Sequence, residues 1–254
     1  MRNFGVSVQT LIPYKLYNVL PQIYKSATFT VPIDFSSLAL LLSAAVLNGD
    51  GITVKGNIGN LPQGDEMFID ILEQMGVNVT INDEEIKIKS PKKLNGGRFD
   101  LSNSPDLLPP LAILALNTSS PIEIVNVKHA RLKETDRIAI IARELVKLGI
   151  KVQEKEDGLV LESVGNLNGT ELNSENDHRL FMAFCIAGMF VGDCIVTDQE
   201  SVKISYPSFV EEMNSLGAKI QSQYKHFQKN QLKKVKGATL YRMKSILLTR
   251  IAFA

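Results

Sequence analysis

A glycine set between an apolar residue and the start of a β-compatible run recurs three times, in Met75-Gly76-Val77, Leu148-Gly149-Ile150 and Leu216-Gly217-Ala218. Each triplet closes a stretch of roughly 40 residues, a length typical of internal repeats. An acidic residue, Asp34, Asp106 or Asp177, followed by an apolar run, opens each stretch. The order inside the stretches is shared: acidic loop, apolar helix, short β-rich segment, polar loop, amphipathic helix, glycine, strand. Such a unit cannot cover its own apolar surface, so its copies must share an interior. A fourth closing segment, Phe4-Gly5-Val6-Ser7-Val8, stands at the start with no unit before it.

Residues Ser36 to Leu47 are apolar nearly all round, which predicts a helix enclosed within a layered domain, and Asn48-Gly49-Asp50-Gly51 ends it. Ile52-Thr53-Val54 begins a strand. Helical spacing over Asp65 to Met75 offers Met67, Ile69, Ile71, Leu72 and Met75 to one face. Val77 to Ile81 and Glu85 to Lys89 alternate about the turn Asn82-Asp83, predicting a hairpin with one wet face, and residues 150–161 repeat this about Asp157-Gly158. A further helix is expected over Leu107 to Leu116. Pro109 and Pro110 fall early in it, where amides lack helical partners. The fold class is therefore α/β (α+β), built from repeated βαβαββ units, with seams near 61–64, 90–99 and 163–170.

An apolar content of 44% with 22% charge belongs to an ordinary globular chain able to bury a sizeable core. The longest apolar run, Leu38 to Leu47, is about half of what a bilayer crossing requires. With no export pattern at the start, the expectation is a cytoplasmic protein without membrane contact. Cys185 and Cys194 lack metal-ligand or disulfide spacing and read as small buried hydrophobes. Residues 221–254 hold eight Lys or Arg and no Asp or Glu, leaving 20 basic against 27 acidic residues in the remainder. An acidic body argues against nucleic acid as a partner. The stretch beyond 220 drops the repeat pattern and reads as an appended or read-through basic tail, with disorder as the plainer alternative.

Chemistry concentrates in His129-Ala130-Arg131-Leu132-Lys133-Glu134-Thr135-Asp136-Arg137, just ahead of the helix Ile138 to Leu148. Acids at a helix start are ordinary capping residues. Arg131, Lys133 and Arg137 at the same start point instead to phosphate or carboxylate groups, with Glu134 as a proton carrier. Asp106 and His178 keep a plainer alternative, helix capping for the first and a local hydrogen bond for the second.

Arg131 to Arg137 resembles the signature of the EPSP synthase (3-phosphoshikimate 1-carboxyvinyltransferase) family, basic-x-Lys-Glu-Ser/Thr-Asp-Arg. Asn176-Asp177-His178-Arg179, Ser205-Tyr206-Pro207-Ser208-Phe209, Asp34-Phe35-Ser36-Ser37 and Gln63-Gly64-Asp65 match it in order, and the likeness runs from Met1 to about Ile220. The resemblance implies transfer of an enolpyruvyl group from phosphoenolpyruvate to the 5-hydroxyl of shikimate 3-phosphate, with release of phosphate, in the shikimate pathway to chorismate and the aromatic amino acids. No metal and no organic cofactor is implied. Asp106 is expected at the substrate hydroxyl, Glu134 as proton shuttle and Lys133 on a phosphate. Arg137, His178 and Arg179 are expected to hold phosphoenolpyruvate, and His129 to hydrogen-bond a substrate phosphate.

Two departures accompany the likeness. Many members carry a phosphate-binding lysine directly before Ser-Tyr/Phe-Pro; Ile204 stands there, with Lys203 offset by one, which in an extended segment points it to the opposite face. The family's first portion is also absent. Its members are two lobes of three units each, so the expectation is an incomplete two-lobe architecture: 1–62 as the remnant of one lobe, 63–220 as the second and 221–254 as the tail. Little activity is then expected from the chain alone, with a separate N-terminal fragment as the partner that would restore it. The alternatives are a non-catalytic remnant of a disrupted gene, or an enolpyruvyl transferase acting on a nucleotide sugar, which should carry a reactive loop cysteine that this sequence lacks.

Overall fold

The computed structural model describes residues 1–13, 15–58 and 63–222. It contains two compact units, Met1–Pro32 and a larger one that begins at Ile33. The first consists of a 3-10 turn at Arg2–Phe4, an exposed antiparallel pair β1 (Gln9–Ile12) and β2 (Leu16–Asn18), and a tilted pairing of the Phe4 and Phe29 rings at 6.3 Å.

The larger unit runs α1 (Phe35–Asn48), β3 (Gly51–Lys55), α2 (Met67–Gln74), β4 (Asn78–Ile81), β5 (Glu85–Lys89), β6 (Gly97–Asp100), α3 (Leu108–Leu114), β7 (Ile122–Val125), α4 (Arg137–Lys147), β8 (Ile150–Lys155), β9 (Gly158–Ser163), β10 (Glu171–Leu172), α5 (His178–Val191), β11 (Ile195–Val196) and α6 (Phe209–Ser215). The second repeat shows the full expected order, β6-α3-β7-α4-β8-β9. Its sheet is ordered β6-β7-β9-β8, and β6 pairs parallel with β7 because α3 crosses between them. Tight turns make β4-β5 and β8-β9 antiparallel, as alternation predicts. The first repeat contributes the sheet β3-β5-β4 and the third the short parallel pair β10-β11.

Helices α1, α3 and α5 pack against one another in a single core, which is why all three are apolar on every face. Polar groups inside this bundle tie its helices together. Ser43 Oγ donates to the carbonyls of Ala39 (2.8 Å) and Pro110 (3.2 Å), tying α1 to α3, and Asn48 Nδ2 donates to Ala44 and Ile186, tying α1 to α5. The shared core begins at Ile33. Helix α1 packs chiefly against α5 and α3 and also touches β3. Two helices are shorter than expected: residues 64–66 form a 3-10 turn ahead of α2, and α3 is flanked by 3-10 turns at Pro105–Leu107 and Ala115–Asn117. Apart from Gln221 and Ser222, the basic tail lies outside the described residues, and among the described residues no helix is long and apolar enough to cross a membrane.

The recurring glycines share one conformation, with φ of 89° at Gly76, 97° at Gly149 and 100° at Gly217. Gly76 and Gly149 each reverse the chain between an amphipathic helix and a strand, and Gly217 ends α6, all through a region that a Cβ disfavours. At Gly149 a Cβ would also collide with the carbonyl oxygen of Asn166. Gly149→Ala is expected to cost about 1–3 kcal/mol, read as a lower midpoint in thermal unfolding; an unchanged midpoint would show that the turn can rebuild around a side chain.

Candidate active site

The site forms where the chain enters α3, α4 and α5. Asp136 caps α4 by accepting from the amide of Ala139 at 3.0 Å, and Asp177 caps α5 by accepting from the amides of Arg179 (2.9 Å) and Leu180 (3.2 Å). These caps leave Arg137, the first residue of α4, facing inward with 0% exposure. Its Nε donates to Asp177 Oδ2 (2.7 Å), its Nη1 to Asp106 Oδ1 (2.6 Å) and its Nη2 to Glu134 Oε2 (2.6 Å). One guanidinium therefore gathers three carboxylates, and through Asp177 it ties the third repeat to the second. An arginine and a carboxylate both withdrawn from water persist only when paired and hydrogen-bonded in this way.

The outer side of the cluster is reachable. Lys133 Nζ lies 3.2 Å from Asp106 Oδ1 and Arg179 Nη2 lies 3.6 Å from Asp106 Oδ2, with side-chain exposures of 31% and 15%. His178 Nδ1 lies 3.8 Å from Glu134 Oε1. This nitrogen is buried without a hydrogen-bond partner, so the plainer reading of His178 as a locally satisfied histidine does not hold. Nor does Asp106 cap its helix: the carboxylate accepts from Arg137 and faces Lys133 and Arg179. Asp34 and Asp177, at the equivalent positions of the other repeats, both cap theirs. Asp106 is the copy released from capping.

Burial raises the Asp106 pKa, but the charges of Arg179, Arg137 and Lys133 outweigh it and hold the carboxyl below its ordinary value. Burial also works against the Arg137 charge and is outweighed by Asp177, Glu134 and Asp106, so Arg137 stays protonated. For His178 burial prevails over Asp177 and Glu134, Arg179 and Arg137 add to it, and the imidazole titrates below its ordinary 6.5. The pH dependence of stability follows. Below 6.5 the unfolded chain takes a proton that folded His178 refuses, so stability falls with pH there. Asp106, with a depressed folded value, stabilises fully above 3.8, and its contribution is lost as pH falls through that lower value. Urea unfolding across pH 8 to 3 is expected to show both declines, and His178→Gln is expected to remove only the upper one.

The signature segment divides by role. Lys133, Glu134 and Arg137 enter the cluster, whereas Arg131 turns away to the β8–β9 hairpin. There it pairs with Glu154 (2.8 Å) and donates to the carbonyls of Glu156 (2.9 Å) and Lys155 (2.7 Å), while also pairing with Asp136 (2.8 Å). Arg131 thus fixes the loop instead of adding to an anion site. His129, expected on a substrate phosphate, stands exposed on the 3-10 turn Lys128–Leu132 and takes no part in the cluster's contacts. Arg137, expected on phosphoenolpyruvate, is committed to carboxylates, and the accessible cations are Lys133 and Arg179. Asp177 was readable from sequence only as the opener of a repeat; the signal for its larger role was its place beside His178 and Arg179 in a matched motif. The segment around Lys203 is not extended but a 3-10 turn, Gln199–Ile204, in which Lys203 pairs with Glu200 and Ile204 is 69% exposed. Cys185 and Cys194 are free thiols, and burial pushes both upward, away from reactivity.

Comparison with known proteins bears on this geometry. The family model for EPSP synthase (3-phosphoshikimate 1-carboxyvinyltransferase) matches residues 1–213. The chain is 81% identical over 221 residues to the 3-phosphoshikimate 1-carboxyvinyltransferase of Nitrosopumilus maritimus, covering 87% of this chain and 52% of that protein. It is 42% identical over 200 residues to the enzyme of that name from Methanococcus maripaludis, covering 78% and 47%. Among solved structures, EPSP synthase from Acinetobacter baumannii superimposes with a TM-score of 0.72 at 28% identity, over 84% of this chain and 52% of that one. The enolpyruvyl transferase NikO from Streptomyces tendae matches in fold, with a TM-score of 0.68 at 20% identity. The chain spans about half the length of the curated relatives it matches.

Proposed function

This chain belongs to the EPSP synthase family, and from that premise we propose that the Arg137 cluster is the part of an enolpyruvyl-transfer site that this chain contributes. The reaction joins the 5-hydroxyl oxygen of shikimate 3-phosphate to C2 of phosphoenolpyruvate while the methylene C3 takes a proton. Loss of a proton from the resulting methyl group and departure of phosphate then restore the double bond. These steps ask for a base at the hydroxyl, a proton carrier at C3 and cations around the phosphate and carboxylate groups.

The observation that carries the reading is that Asp106 and Glu134 sit on the two Nη atoms of one guanidinium, each with a reachable face, while Lys133 and Arg179 flank Asp106. Asp106, kept ionised by these cations, suits the hydroxyl. Glu134, 43% exposed and beside the unpaired Nδ1 of His178, suits the proton transfers. Lys133 and Arg179 supply charge to the anions. A direct hold of Arg137 on phosphoenolpyruvate requires the Asp106 or Glu134 contact to be given up; otherwise Arg137 serves by fixing both carboxylates.

The test is phosphate release from phosphoenolpyruvate and shikimate 3-phosphate, by the chain alone and with a separate polypeptide carrying the portion of a family member that the chain does not span. Release that needs both substrates supports the proposal. No release in either arrangement, together with no calorimetric binding of phosphoenolpyruvate, overturns it.

A further inference from the structure

Arg137 and Glu144 lie seven residues apart on α4, so they share one face of the helix, and both side chains are fully buried. Both reach into the third repeat. Arg137 takes Asp177, while Glu144 Oε2 accepts from the backbone amide of Asn173 at 2.9 Å. Glu144 is satisfied on every side, by Arg143 Nε at 2.7 Å and Lys147 Nζ at 2.7 Å, and Arg143 in turn pairs with Glu175 at 2.8 Å.

Between these two grips the chain is strained. Glu175 and Asn176 have φ of 49° and 62°, two successive left-handed residues without a glycine. That conformation costs free energy and persists only where its surroundings hold it. Asn173 Oδ1, anchored through its own backbone by Glu144, accepts from the amide of Glu175 at 2.9 Å, and the Asn176 amide donates to Asp198 at 3.3 Å. The next three residues are Asp177, His178 and Arg179. The direction in which the chain leaves this turn therefore decides where the imidazole and the guanidinium meet Glu134 and Asp106.

We infer that Glu144 is a positioning residue: by clamping the Asn173 amide it holds the left-handed Glu175–Asn176 turn and so sets His178 and Arg179 against the cluster. It touches none of the groups assigned to the chemistry. The inference rests on the proposed function for its purpose, and on the fold alone for its geometry.

The test is nuclear magnetic resonance of the His178 imidazole in the ligand-free full chain, assigned with His178→Gln, followed by titration with phosphoenolpyruvate. Glu144→Ala is expected to move the His178 resonances and weaken phosphoenolpyruvate binding about tenfold or more, as displaced binding groups do. Glu144→Gln, which keeps an acceptor for the Asn173 amide, is expected to move them less. Asn176→Val, which the left-handed region rejects, should move them as Glu144→Ala does, and it tests the turn from an exposed position should Glu144→Ala fail to fold. Ile141→Val, a core change on the same helix, should lower the melting temperature without moving His178. The inference is overturned if the His178 resonances stay at their wild-type positions in Asn176→Val and in whichever Glu144 variants fold. If the wild-type chain fails to bind phosphoenolpyruvate, the functional reading falls, while the ligand-free resonances still decide the positioning role.

Discussion

Arg137→Ala is expected to be the most damaging single substitution in the chain. It removes one side chain and strands three carboxylates, of which Asp177 is as deeply buried as the arginine itself. Breaking a buried pair by deleting one partner typically costs about 3–5 kcal/mol, because the surviving charge keeps its desolvation penalty without its counterion. A domain with about 5–15 kcal/mol in hand loses a large share of its stability. Arg137→Lys should recover little, since one ammonium cannot reproduce donors fixed along separate edges of a guanidinium. The deficit also has a pH signature. Uncompensated carboxylates gain protons readily, so the gap between Arg137→Ala and the wild type should narrow on acidification from pH 7 to pH 4 in denaturant titrations. A variant as stable as the wild type, or a gap that widens in acid, would show that the cluster does not hang on Arg137.

Much of the architecture could be read from periodicity because it is enforced locally. A helix enclosed by other helices must be apolar all round, as Ser36 to Leu47 is, and a half-wet hairpin must alternate, as Glu85 to Lys89 does. The glycine that ends each unit has one backbone requirement in all three copies. What periodicity does not carry is partnership between distant segments. The apolar run of α1 says that the helix is enclosed, but not that its chief partners are α3 and α5, far along the chain. Pro109 and Pro110 announced an early helical turn but not that a carbonyl there would accept the hydroxyl of Ser43.

The site divides in the same way. Residue types within the signature segment pointed to anions and proton transfer, and the structure brings Asp106, Lys133, Glu134, Arg137, His178 and Arg179 together. Their individual duties depended on direction, which a loop sequence leaves open. Arg131 and Arg137 are alike on paper, but one lies along a hairpin rim and the other is sealed beneath three acids. His129 and His178 differ as sharply, one in solvent and the other enclosed with an unpartnered nitrogen. The three acidic openers make the point most clearly. Capping is what their helix-start position suggests, and two of them do cap; the third, after Pro105, is spent on cations. That departure from a rule obeyed by its own repeats is why the proposed function gives Asp106 a part in the chemistry.

Under the proposed function, Glu134→Gln should separate chemistry from architecture more cleanly than any other change. The amide keeps the shape of the side chain and an oxygen for Arg137 Nη2, but it can neither deliver a proton to C3 nor take one back. General acid–base groups contribute about 10²- to 10⁴-fold, and a loss of kcat in that range is expected, with a much smaller change in KM for phosphoenolpyruvate. Stability should move little, by about 1 kcal/mol or less, because Glu134 is 43% exposed and its pair with Arg137 is weakened by solvent. The contrast with Arg137→Ala is the informative part. Both residues share one hydrogen bond, yet Glu134→Gln should keep its stability and fail in turnover, while Arg137→Ala should lose much of its stability. Rates of phosphate release, measured in the arrangement that gives activity and paired with unfolding curves, distinguish the two. A Glu134→Gln protein that turns over within tenfold of the wild type would move the proton carrier elsewhere, with His178, 3.8 Å away, as the next group to test.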